Sequence, residues 1–142
     1  MFLSDLEVKK VGEDKWMLLS PLEYASPYLD RIIVVPAGFI HDFASVPRAP
    51  FAFILFGDTA HKAAVVHDWL YTTHCHPDAQ VNEPYINTGK KGEYVAGSCD
   101  ISISRKDADA VFMEAVTSEE SGWRAKMMWL GVRLGGGRSW KK

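Results

Sequence analysis

"AAVVHDWLYTTH", residues 63–74, is the stretch on which the fold of this chain turns. Apolar residues recur at helical spacing, a histidine and an aspartate stand side by side among them, and Trp69 and Tyr71 follow. The pattern predicts a helix from about Thr59 to Thr73, with Asp58 or Thr59 as its N-cap. At about 100° per residue, His67 shares its face with Ala60, Ala63, Ala64, Leu70, Tyr71 and His74. The three alanines leave room for another helix, or a ligand, to come close. Tyr71 adds a hydroxyl beside the imidazole. Asp68 is turned about 100° from His67, so the two address different neighbours and can serve two adjoining sites.

A second helix is predicted from Ser104 through "ADAVFMEAVTSEE". "SRKD" reads as a capping box in which Ser104 caps and Asp107 answers three residues on, so Asp107 is structural. Asp109 lies on the opposite side and shares its face with Phe112, Met113 and Val116. A carboxylate there is costly to bury unless it accepts hydrogen bonds or faces a cation. Were the two helices packed antiparallel, Asp109 could orient the His67 imidazole and raise its basicity, leaving the other ring nitrogen for proton transfer. The same pair could equally be a satisfied core histidine and its partner, and both readings stay open at this point.

The rest of the chain supplies the frame. Residues 1–50 read as strands: "LEVKKV" alternates, "KWMLLSPLEY" and "DRIIVVPAG" are rich in β-branched and aromatic residues, and "VGEDK" fits a hairpin connection. Residues 47–58, "PRAPFAFILFGD", read as a loop and a short apolar segment. From 58 to 140 the chain reads as helical, interrupted by a turn-rich insert at 76–103 in which "TGKKGE" suggests a small hairpin. A third helix is expected over Gly122–Leu134, stopped by "GGG" at 135–137. The expectation is a single α+β domain over 1–142: an N-terminal antiparallel β-meander, then an α-hairpin and a C-terminal helix.

Composition narrows the class. With 142 residues, 47% of them hydrophobic, the chain can bury a real core, and a formal charge of -2 gives no reason to expect nucleic-acid binding. "MFLSDLEVKK" lacks the basic and apolar regions of a signal peptide, and "APFAFILFG" is too short to span a bilayer, so a cytoplasmically made soluble protein is expected. Cys75 and Cys99 flank the insert and could bridge it, although two thiols in a reducing cytoplasm are the plainer expectation.

Other residues invite a functional reading. "HDFASVPR" places His41, Asp42, Ser45 and Arg48 in an irregular segment. Without a G-x-S-x-G elbow, Ser45 is poorly supported as a nucleophile. Asp42 and Ser45 read as turn and cap residues, and Arg48 as an ion-pair partner for Asp68 or Asp109. Alternatively, Asp42 and Arg48 line the same pocket as His67. His67 and His74 share a face, but two turns separate them by about 10 Å, which suits a single zinc ion poorly. The third helix carries Trp123, Arg124, Lys126 and Trp129 and runs into "GGGRSWKK", a Trp-rich basic segment suited to docking on a larger assembly or an anionic membrane surface.

Three motifs carry a family resemblance. "VPAGFIHDFASVPR" (35–48), "AAVVHDWLY" (63–71) and "SRKDADAVFMEAV" (104–116), followed by "WRAKMMWLGVRLGGG", closely resemble the phage and bacterial family called domain of unknown function 1353. The resemblance spans about residues 16–140 and implies a phage or prophage origin, with synthesis in the bacterial host cytoplasm. His41 stands where that family's pattern has Thr, and the insert is longer than its norm.

More distantly, "HDWLY" resembles the His-Asp helix motif of phospholipases A2, and the paired helix with Asp109 extends that likeness. It implies His67 as general base, Asp109 as the residue that orients it, Tyr71 hydrogen-bonded to Asp109, and Asp68 as a calcium ligand. The glycine-rich calcium loop and the disulfide scaffold of phospholipases are missing; "AGFIHDFASVP", with Asp42 and its carbonyls, is the substitute. Two functions follow as expectations. One is a small hydrolase, calcium-assisted, acting on a lipid or other ester. The other is a virion or tail-associated accessory protein, docked on other phage structural proteins, in which the same residues form a buried polar network.

Overall fold

Pro21 divides the first half of the chain. It has no N–H to give to a ladder, and the run "KWMLLSPLEY" breaks there into two strands that join different sheets. The structure is a computed structural model and describes residues 1–42, 59–76, 101–118, 126, 129 and 130. Strands β1 (Val8–Lys10) and β2 (Trp16–Leu18) form an antiparallel hairpin in the register Val8↔Leu18 and Lys10↔Trp16. Its connection is closed by Val11 N–H donating to the Lys15 carbonyl at 2.9 Å. Beyond Pro21, β3 (Leu22–Ser26) and β4 (Arg31–Val35) make a second antiparallel pair. Period-two alternation turns Leu22, Tyr24, Ser26, Ile33 and Val35 inward.

The sequence suggests a meander, with each strand beside the next. Instead β2 takes β5 (Ile40–His41) as its second neighbour, giving a three-stranded sheet in the order β1-β2-β5 and a separate β3-β4 pair. The turn that makes this possible is Pro36–Gly38. Gly38 adopts φ 86, a left-handed conformation open to a residue without Cβ. Its N–H donates to the Leu18 carbonyl at 2.8 Å, and Leu18 N–H donates to the Phe39 carbonyl at 2.9 Å. His41 therefore lies in a strand, paired with Trp16 and buried, rather than in an irregular segment.

The helical half follows the sequence reading closely. Helix α1 spans Thr59–Thr73 and α2 spans Arg105–Thr117. Both halves of the capping box of α2 are formed: Asp107 N–H donates to Ser104 Oγ, and Ser104 N–H to the Asp107 carboxylate. Contacts of His67 and Tyr71 with Asp109, and of Tyr71 with Arg105, run in opposite directions along the two helices, so the pair is antiparallel. Two short strands, β6 (Cys75–His76) and β7 (Ile101–Ser102), pair where α1 leaves and α2 begins. The loop at 47–58, the hairpin within the insert, Cys99 and nearly all of the third helix lie outside the described residues, as does its Trp-rich basic tail. Lys126, Trp129 and Leu130 are helical.

The core lies between the sheets and the helix pair. Leu18, Leu22, Tyr24, Ile33, Val35 and Phe39 meet Val66, Trp69, Leu70, Val111, Phe112 and Val116. Trp69 meets the Phe39 ring edge-on at 5.2 Å between centroids. Burying an aliphatic or Phe side chain of this kind contributes about 1.5–3 kcal/mol. Polar ties also fix the helices against the N-terminal half. Glu114 of α2 accepts from Tyr24 Oη at 2.8 Å and from the Tyr28 N–H at 2.6 Å. Lys62 of α1 donates to Asp5 at 3.1 Å and lies over the Phe2 ring. Among the described residues no helix is long and apolar enough to cross a membrane.

Candidate functional site

The antiparallel helix pair brings His67 of α1 and Asp109 of α2 face to face. Ala63 and Ala64 contribute little bulk one turn before His67, and both are fully buried, which lets α2 approach. His67 Nε2 lies 3.1 Å from Asp109 Oδ1. Tyr71, one turn further along α1, donates its hydroxyl to the same oxygen at 2.5 Å. The imidazole is packed between Tyr71, at 4.0 Å between ring centroids, and Phe112, at 5.1 Å. His67 and Asp109 are each 1% exposed.

Arg105, one turn before Asp109 on α2, completes the cluster. Its Nε donates to the Tyr71 hydroxyl at 3.2 Å and lies 3.7 Å from the second oxygen of Asp109. Its side chain is 31% exposed, so this guanidinium leads from the buried carboxylate toward the surface. The sequence suggests Arg48 as an ion-pair partner for Asp68 or Asp109; Arg48 lies outside the described residues, and among those residues Arg105 is a cation at Asp109. Its signal was present in the sequence as the i, i+4 spacing of an arginine and an aspartate on one helix.

Electrostatics follow from burial. Removal from water holds the His67 pKa below the ordinary histidine value, against the hydrogen bond and charge of Asp109, while the charge of Arg105 lowers it further. The ring is therefore neutral at neutral pH. A carboxylate only accepts, so Nε2 carries the proton toward Asp109 and Nδ1 is the basic nitrogen. Burial and the bond to Asp109 push the Tyr71 hydroxyl up to about 12, which keeps it a donor across the physiological range.

The remaining sequence candidates fall elsewhere. Asp68 is half-buried on α1, turned away from the dyad, and its carbonyl accepts from Thr72 Oγ1 at 2.7 Å. Asp42 is exposed immediately after β5. His74 is exposed and ends α1: it adopts φ 53, and its N–H donates to the Leu70 carbonyl at 2.9 Å. That is the left-handed residue with which helices often close, so His74 shapes the end of α1. Ser45 lies outside the described residues. His41, stacked on Phe39 at 6.0 Å, is pushed down to about 4 by burial.

Among the described residues no three His, Cys, Asp or Glu side chains are grouped to hold an ion. Asp68 and Asp42 by themselves thus do not make a calcium site, which needs about six or more oxygens. In comparison with known proteins, residues 16–132 fit the family model described as "Protein of unknown function (DUF1353)". No curated protein and no solved structure matches the chain, so the likeness to phospholipases A2 rests on its residues alone.

Proposed function

The chain belongs to the DUF1353 family, and within it we propose that His67 and Asp109 form the base dyad of a small hydrolase acting on an ester or phospholipid. The observation that carries this reading is the contact of 3.1 Å between His67 Nε2 and Asp109 Oδ1, on the oxygen that also accepts from Tyr71. It leaves a neutral histidine with a fixed orientation and Nδ1 as its basic atom. Nδ1 takes a proton from water as the water oxygen attacks the ester carbonyl carbon. The imidazolium so formed is stabilised by Asp109 and returns the proton to the leaving alkoxide when the tetrahedral intermediate collapses.

A physical argument supports a site over a packing device. Histidine, aspartate, tyrosine and arginine meet beside Phe112 at an otherwise apolar core. Apolar side chains of similar volume hold a helix pair at least as well as a buried ionic network, and often better. Stability therefore gives little reason to keep this cluster, whereas proton transfer needs these residue types. Asp68, beside His67 in sequence, is the carboxylate that would hold calcium if the reaction uses it. No step above depends on that ion.

A second reading is favoured by the 1% exposure of His67 and Asp109. In it the cluster is a closed polar clasp in a non-catalytic phage accessory or tail-associated protein, which docks through its Trp-rich basic C-terminal segment. One experiment separates the two readings: hydrolysis of short-chain p-nitrophenyl esters and of phospholipid vesicles by wild type and His67→Gln, with calcium and with chelator. Turnover that falls by about 10²-fold or more in a variant still folded supports the base. Turnover equal in both proteins, or absent from wild type with every substrate, supports the clasp.

A further inference from the structure

We propose that the outer edge of β3, with Lys62 of α1 beside it, is an acceptor site for an extended peptide, and that residues 1–5 are its built-in, displaceable occupant. The site is independent of how His67 is read and is tested without turnover.

The main chain shows the acceptor. Residues 1–3 run antiparallel along the edge of β3 that faces away from β4, with Phe2 bridged to Tyr24. Ala25 N–H donates to the Met1 carbonyl at 2.9 Å, and Leu3 N–H donates to the Glu23 carbonyl at 2.9 Å. Where this pairing ends, Ser4 Oγ takes over: it accepts from Glu23 N–H at 2.8 Å and donates to the Pro21 carbonyl at 3.2 Å. An edge strand presents a row of donors and acceptors that an extended segment can match, while pockets for alternate side chains select among segments.

The side chains of the occupant alternate as in a strand. Phe2, Ser4 and Leu6 are half-buried; Met1, Leu3 and Asp5 are exposed. The Phe2 ring meets Tyr24 at 4.7 Å between centroids and packs at the margin of the core. Lys62 meets the rest of the segment. Its Nζ lies 5.7 Å from the Phe2 ring centre, and it donates to the Ser4 carbonyl at 3.3 Å and to Asp5 at 3.1 Å. The site therefore takes an aromatic residue, a hydroxyl two positions on, and a carboxylate directly after it.

The hold on residues 1–5 is of kinds that contribute little net stability. It consists of hydrogen bonds at a sheet edge, the partial burial of Phe2, and an ion pair whose Asp5 side chain is 96% exposed. A segment held in this way opens locally while the rest of the fold stays closed. The acceptor, β3 with Lys62, lies within the residues 16–132 that fit the family model, and the occupant lies outside them.

The test adds a fluorescently labelled peptide of residues 1–7, MFLSDLE, to the full-length chain and reads its anisotropy. In the wild type the tethered segment competes at an effective concentration of roughly millimolar, so the peptide binds weakly. Phe2→Ala loosens the tethered copy and leaves the acceptor intact. Binding to that variant is expected to be about tenfold or more tighter than to the wild type, the scale of one partly buried aromatic side chain. A peptide with alanine in place of its phenylalanine should bind the variant about tenfold or more weaker. Hydrogen exchange on the wild type keeps the proposal falsifiable if Phe2→Ala does not fold: the Leu3 and Ala25 amides should exchange about tenfold or more faster than amides inside α1. A folded Phe2→Ala chain that binds the peptide no better than wild type, or binds it equally without its phenylalanine, overturns the acceptor. Leu3 and Ala25 amides that exchange only with global unfolding overturn the displacement.

Discussion

His67 and Asp109, 42 residues apart in sequence, meet at 3.1 Å on facing helices with almost no exposure to solvent. Because Asp109 also receives the Tyr71 hydroxyl, it is the node of the cluster. Asp109→Ala leaves three polar partners facing a void. It is expected to cost about 3 kcal/mol or more, as when one member of a buried charged pair is removed, read as a shift of the urea midpoint. Asp109→Asn keeps the shape and an acceptor oxygen and should cost less.

Tyr71→Phe keeps the ring against His67 and removes only the oxygen that joins Arg105 to Asp109. A loss of about 1–2 kcal/mol is expected in chemical denaturation, the range for a hydrogen bond to a charged group. No loss at all would show that the short contact contributes nothing net.

Two histidines make the fold acid-sensitive. His41 is pushed down to about 4 and His67 is also lowered, in both cases chiefly by burial. A lowered folded-state pKa means that the unfolded chain takes up protons first as pH falls. The stability that these groups contribute is therefore complete above the ordinary histidine value of 6.5 and declines toward about 4. For His41 the decline should be between about 1 and 3 kcal/mol, one pKa unit being worth roughly 1.4 kcal/mol. Denaturation midpoints measured across this window check the sign, and His41→Thr should shrink the decline.

Features that depend on near neighbours were legible in the sequence. Helical spacing locates α1, "SRKD" locates the capped start of α2, and the helix faces put Tyr71 beside His67 and, on antiparallel packing, Asp109 opposite it; the Tyr71–Asp109 bond is legible only through the likeness to the phospholipase helix motif. What was not legible depends on partners far along the chain. The choice of β5 over β3 beside β2 is made by the turn at Gly38, and the Tyr24–Glu114 bond joins residues 90 apart. Arg105 was missed because its i, i+4 spacing to Asp109 acquires meaning only once Tyr71 is known to stand between the two helices.

That long-range tie gives a further expectation. Glu114→Ala removes the acceptor for both Tyr24 Oη and the Tyr28 N–H, and should cost about 1–3 kcal/mol. Ser104→Ala, which takes away the cap of α2, should cost about 1 kcal/mol. The two sites lie at different ends of α2, so their costs should add within about 0.5 kcal/mol in the double variant.

Whether a small reagent can reach His67 in the folded protein separates a base from a clasp before any substrate is known. The measurement is the rate at which diethyl pyrocarbonate modifies each histidine under native conditions, read by mass spectrometry, with exposed His74 as the fast reference. A base dyad predicts that His67 is modified well below the denaturation midpoint, at a rate above that of global unfolding. Modification of His67 only as the whole protein unfolds would contradict the dyad and leave the clasp.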